Sequence, residues 1–254
     1  MSRAEQAEPT PEARTRSTAS DTASRIESAI VTGGSEALQQ EVRQSTIGQG
    51  PQGYAQIAEA TRQMERSGLL PQVIGLQAEN MFAATNAWSK ENWGNWGLTN
   101  RDLTKADIEA YARRPGVTPL EKELARRVTA NFESISQGDA GISRADLDKF
   151  LGEAKKQASL REFFKRDKDG RSLYSDVADK DGNIQPGALN KRLEDKTLTP
   201  AQRQALEHMK SEMTTFRSLV PGTNDMTRSH VEALAKGAGL DPKDVDRRMD
   251  RTGP

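Results

Sequence analysis

Four aromatic residues, Trp88, Phe132, Tyr174 and Phe216, stand 44, 42 and 42 positions apart in this chain. Ten residues after each comes an aliphatic residue or a methionine: Leu98, Ile142, Ile184 and Met226. The next residue is Thr99, Ser143, Gln185 or Thr227, and five positions beyond the aliphatic an apolar residue returns at Leu103, Leu147, Leu189 and Val231. Copies two to four also carry Ile135, Val177 and Leu219 three residues after the aromatic, where copy one has Glu91. Self-similarity at a fixed period marks a duplicated supersecondary unit, and one copy alone buries too little apolar surface to be stable. The spacing predicts helix, loop, helix. The aromatic closes the first helix on its buried face, the aliphatic pins the loop to the core, and Ser or Thr caps the second helix.

Copies two and four agree further. Both open on Thr-Pro (Thr118-Pro119 and Thr199-Pro200), an N-cap followed by proline in the first helical turn. Long charged helices, LEKELARRVTANF and AQRQALEHMKSEMTTF, follow. Copy three departs from the pattern: Asp167-Lys168-Asp169-Gly170, an ordinary turn composition, falls where its first helix belongs. No stretch shows sustained period-2 alternation rich in β-branched residues, so the fold class is all-α.

Before the repeats, residues 1–20 are polar and charged and read as a disordered tail, with an export or docking segment as the functional alternative. Residues 21–70 form an N-terminal helical segment. Asp21 reads as an N-cap ahead of Ile26, Ile30 and Val31, Gly33-Gly34 ends that helix, and Ser35 starts a second through Leu38 and Val42. GQGPQG at 48–53 is a turn, a helix follows over Tyr54–Arg66, and Pro71 opens the next, which carries Val73, Ile74, Leu76, Met81 and Phe82.

Composition removes several function classes. Apolar residues are 34% against 29% charged, so part of the chain should be solvated rather than packed. Lys+Arg and Asp+Glu are 37 each and interleaved along the chain, which argues against a nucleic-acid partner. The absence of cysteine removes disulfides, thiolate metal sites and cysteine nucleophiles. No apolar run approaches the roughly 18–20 residues of a membrane span, and the N-terminus lacks the apolar stretch of a secretory signal. Those two readings leave the compartment unassigned, with a cytoplasmic chain and export by a non-classical route both open.

The aromatic that ends a helix, a loop such as QGDAGIS (137–143) or DKDGNIQ (179–185), and a following helix such as SRADLDKFL (143–151) resemble the EF-hand superfamily of calcium-binding helix–loop–helix proteins. The resemblance covers about 180 residues, 71–250. It implies four EF-hand-like units in two paired lobes, 71–156 and 157–254, with Ile142 bridged to Leu98 and Ile184 to Met226. It implies a non-enzymatic regulatory or protein-interaction module whose lobes present an apolar groove to a partner helix. Calcium (Ca2+) binding would be weak, partial or lost, because no loop matches the D-x-[DN]-x-[DN]-G-x5-E consensus. With Ile184 as the eighth loop residue, Val177, Asp179, Asp181, Gly182 and Ala188 fall at positions one, three, five, six and twelve. The best metal candidates are Asp179 and Asp181 with Asp176 or Asn183, followed by Asp139 and Asp146 of copy two. Capping boxes at Thr99-x-x-Asp102 and Ser143-x-x-Asp146 explain those aspartates without a metal. The alternative is a metal-free helical scaffold serving as a bacterial secreted effector or structural adaptor.

The remaining constellations carry less. Adjacent residues on a helix point about 100° apart, so Ser229-His230 beside Asp225 makes no nucleophile–base pair. His208 lies in a charged stretch and reads as solvated. Trp88 reads as core, while Trp93 and Trp96 stand among Asn and Gly as a local cap or a partner or glycan contact.

Overall fold

The computed structural model describes residues 11–49, 52–93, 101–220 and 222–241. They are mostly helical, with three isolated β-bridges and no strand among the described residues, which bears out the all-α class. No described helix is long and apolar enough to cross a membrane. The chain divides into two compact units between Gly152 and Glu153, each with its own apolar core.

The first unit opens with α1 (Pro11–Gln44), α2 (Gly53–Arg66) and α3 (Leu70–Trp93). Residues 11–20, expected in a disordered tail, are instead the first turns of α1, and Ala19 is already buried. Asp21 is therefore no N-cap; it is an exposed residue inside the helix. Residues 1–10 lie outside the described residues. The break expected at Gly33-Gly34 is real: Gly34 sits at φ 63°, ψ −140°, a conformation closed to a Cβ-bearing residue without strain, and it kinks α1. On α2 the 3.6-residue period places Ile57, Ala60, Thr61 and Met64 on one buried face. These helices share one core with Leu38, Val42, Ile47, Val73, Leu120, Leu124, Ile142 and Leu147. The N-terminal segment is thus part of the first unit's core.

Three further helices follow: α4 (Lys105–Ala112), α5 (Pro119–Ala130) and the one-turn α6 (Phe132–Ile135). Thr118 caps α5 as Thr-Pro predicts, in a reciprocal box with Glu121. Glu121 is almost wholly buried, and its carboxylate is satisfied from three elements. It accepts from the Thr118 N–H at 2.8 Å and the Tyr111 hydroxyl at 3.1 Å, with the Arg43 guanidinium at 3.8 Å. The Thr118 hydroxyl also donates to the Val42 carbonyl at 3.3 Å. This polar cluster ties α1 to α4 and α5 inside the unit.

The unit boundary falls within α7 (Arg144–Phe164). The second unit continues with α8 (Leu173–Val177), α9 (Pro186–Leu193), α10 (Pro200–Leu219) and α11 (Arg228–Gly237). Its core gathers Phe163, Tyr174, Ile184, Leu189, Leu206, Met209, Phe216, Met226 and Val231. The first helix of copy three is reduced to the single turn of α8, because Asp167–Gly170 does form the turn its composition indicates.

Candidate functional site

The aliphatic anchors of the loops meet in pairs. Ile184 and Met226 exchange two backbone hydrogen bonds of 2.9 Å. In the first unit Ile142 makes the same reciprocal pair at 2.9 Å, but with Leu103 and not with Leu98. Leu98, Thr99 and Trp96 lie outside the described residues, as do the side chains of Trp88 and Trp93. The bridge shifts copy one by five residues. Trp93, the last residue of α3, stands ten positions before Leu103, and Ile108 stands five after it and is buried.

The cap moves with the register. Thr104, not Thr99, caps the following helix, and the reciprocal partner is Asp107, not Asp102, which is exposed. Asp107 takes the Thr104 N–H at 3.0 Å, the Thr104 hydroxyl at 2.6 Å and the Arg101 guanidinium at 2.5 Å. Burial pushes the Asp107 carboxyl up, but the Thr104 hydrogen bonds and Arg101 outweigh it and hold it below the usual carboxylate range.

Asp146 occupies the equivalent place at the start of α7. It accepts from the Ser143 N–H at 2.9 Å, the Ser143 hydroxyl at 2.6 Å and the Gln137 amide at 3.1 Å. Gln137 reaches it from a left-handed backbone, φ 55°, and its side-chain Oε1 accepts from the Lys149 ammonium at 2.6 Å. Asp139 stands exposed on the loop.

In the second unit Asp179 turns its carboxylate back onto its own loop. Its Oδ1 accepts the N–H groups of Asp181 and Asn183, both at 2.9 Å. Twelve residues earlier Asp167 does the same with Asp169 at 3.0 Å and Arg171 at 2.7 Å. The two Asp-Lys-Asp-Gly segments are one turn built twice, each with its glycine left-handed, at φ 77° for Gly170 and φ 82° for Gly182. Asp181 is exposed, while the Asn183 side-chain oxygen accepts the Arg228 N–H at 3.0 Å and so tethers the loop to the first turn of α11.

Asp176, on α8, lies between two guanidiniums: Arg171 at 2.8 Å and Arg192 of α9 at 3.2 Å. Arg192 continues to Asp195, whose other oxygen takes the hydroxyl and N–H of Thr197 at 2.7 and 2.8 Å. Those Thr197 bonds, with Arg192, hold the Asp195 carboxyl below its ordinary value. Arg203 of α10 closes the chain by donating to the carbonyls of Leu193 at 2.8 Å and Asp195 at 3.2 Å. This chain edges an open cleft of about 550 Å³ lined by Asp176, Asp179, Gln185, Lys191, Arg192 and Asp195.

Calcium takes six to eight oxygens at about 2.3–2.6 Å. Among the candidate ligands, Asp179 accepts backbone N–H groups on Oδ1, Asn183 accepts from α11, Asp176 meets two arginines and Asp146 belongs to a cap, while Asp139 and Asp181 stand exposed. Among the described residues no group of three or more His, Cys, Asp or Glu comes together in a way that could hold a metal ion.

The pairings through Arg171, Arg192 and Arg203 escaped the sequence reading. Only Arg192 to Asp195, at i and i+3 across the end of α9, has a local spacing that signals it. His208, read as solvated, is in fact half-buried. Its Nε2 is sealed from solvent without a hydrogen-bond partner among the described residues, 3.6 Å from Glu212. Ser229 and His230 are engaged separately, Ser229 with the Thr227 hydroxyl at 3.1 Å and the His230 ring against Phe216 at 4.5 Å. Comparison of the chain with family models, with curated proteins and with solved structures gives no match.

Proposed function

We propose that this chain is a non-enzymatic protein-interaction module of EF-hand-like helix–loop–helix units, paired within each compact unit, with calcium binding weak or lost. The observation that carries the reading is the reciprocal backbone bridge between loop anchors, Leu103 with Ile142 and Ile184 with Met226. One exchange of two hydrogen bonds per unit joins consecutive helix–loop–helix segments at their loops and leaves their helices to form a common core. Such a pair serves as a platform on which a partner's amphipathic helix can lie. In the first unit the chain's own α1 and α2 already share the core of α3 and α5. The exposed large apolar side chains on which a partner could lie, among the described residues, are Tyr54 on α2 and Leu219 and Val220 at the end of α10.

The test is calorimetric titration of the full chain with calcium, beside the Asp179→Ala, Asp181→Ala double variant. Either no saturable heat or weak heat in the millimolar range is expected of the wild type, with the variant indistinguishable from it. A micromolar site that the double substitution abolishes would overturn the reading in favour of a calcium sensor.

A further inference from the structure

Asp176, one of the carboxylates offered by the sequence as a metal candidate, meets guanidinium groups here. Asp176 and Asp195 supply two negative charges, Arg171 and Arg192 two positive ones, and Arg192 sits between the two acids, touching both. The three elements that must stay together around the loop, the turn at 167–171, α8 and α9, all contribute to this line of charges. Arg192 and Asp176 are its best-sheltered members, with side chains 24% and 15% exposed, where charge-assisted hydrogen bonds are strongest. A dication brought against Asp176 would have to displace a guanidinium already within hydrogen-bonding distance, and would be repelled by it.

We infer that Arg192, assisted by Arg171, is the resident cation of the second unit: a covalently attached clamp that does for the loop and its two short helices what a bound metal would do. The inference rests on the helix–loop–helix reading above. Its consequence is regulatory. A metal can leave and a side chain cannot, so the second unit is held in one arrangement at every calcium concentration. Ionic strength is the variable that loosens it, because the clamp is partly exposed and screened by salt.

Hydrogen exchange of the full chain in EDTA, followed on peptides covering 167–195, tests the clamp. Arg192→Gln and Asp176→Asn should each speed exchange there by about tenfold or more, and the double variant should add little, because both remove one interaction. Raising NaCl to about 1 M should speed exchange in the wild type but not in Arg192→Gln. Arg192→Lys, which keeps the charge and loses the planar fork, should fall between the two. Single variants that exchange like the wild type, or effects that simply add, would overturn the clamp. So would slower wild-type exchange in about 5 mM calcium than in a matched sodium control. The two ideas fail separately. Unresponsive variants with flat calorimetry sink the clamp alone, whereas micromolar calcium heat sinks the proposed function.

Discussion

At the scale of single residues, the same side-chain type takes different work according to its surroundings. Asp107 and Asp146 cap helices, Asp179 folds a turn, Asp176 pairs with arginine and Asp181 is solvated. Spacing alone gave Asp146 its cap, because Ser143 lies three residues away and the box is local. It could not give Asp176 its partner Arg192, which is sixteen residues distant and reaches it only once α8 and α9 are docked. His208 makes the same point with a titratable group. Burial lowers its pKa, and Glu212, the largest opposing influence, does not restore it. Lys156, Lys155 and Glu153 face it from α7, and Lys156 holds Glu212 at 3.3 Å. The folded state thus favours neutral imidazole, while the unfolded chain takes up its proton near pH 6.5. Stability is fully present above that pH and declines as pH falls through it toward the depressed folded value. The urea midpoint of the second unit should therefore drop between about pH 7.5 and about pH 5.5, and His208→Gln should flatten the drop. Equal pH dependence in the two proteins would assign the effect to other groups.

At the scale of elements, the helices follow from local chemistry and the loop register does not. Thr118-Pro119 and Thr199-Pro200 start α5 and α10 with capping boxes, and Gly68 ends α2 at φ 73°, with the Leu69 N–H returning to the Met64 carbonyl at 2.9 Å. Copy one was ambiguous because its sequence repeats itself at five residues. Trp88, Leu98 and Leu103 have the same spacing as Trp93, Leu103 and Ile108, and Thr99-x-x-Asp102 the same form as Thr104-x-x-Asp107. Only the bridge partner Ile142 distinguishes them, and it sits 39 residues further on from Leu103. Leu103 is fully buried at this bridge. Leu103→Ala should accordingly cost about 2–5 kcal/mol of first-unit stability in urea titration. A loss below about 1 kcal/mol would place the loop anchor elsewhere.

For the molecule as a whole, the two cores settle what the N-terminal helices are for. Leu38, Val42, Ile47, Ile57, Ala60 and Met64 are buried in the same cluster as Leu103, Leu124 and Ile142, and Val42 and Arg43 reach Thr118 and Glu121. Removing residues 1–66 would expose that apolar surface and take away the Arg43 partner of a buried carboxylate. Calorimetric melting of such a truncation should show the first unit's transition lost and the second's kept. An unchanged first-unit transition would make α1 and α2 dispensable. Helix type, the capped starts of α5, α7 and α10, the Gly68 end of α2 and the turn at each Asp-Lys-Asp-Gly were written in the sequence, since each depends on residues within a turn or two of one another. The partner of Ile142, the docking of the N-terminal helices and the arginines that engage Asp176 were decided only by tertiary structure. Those contacts join positions far apart in the chain, and a pattern that repeats locally contains nothing to choose among equivalent matches until packing brings one of them into reach.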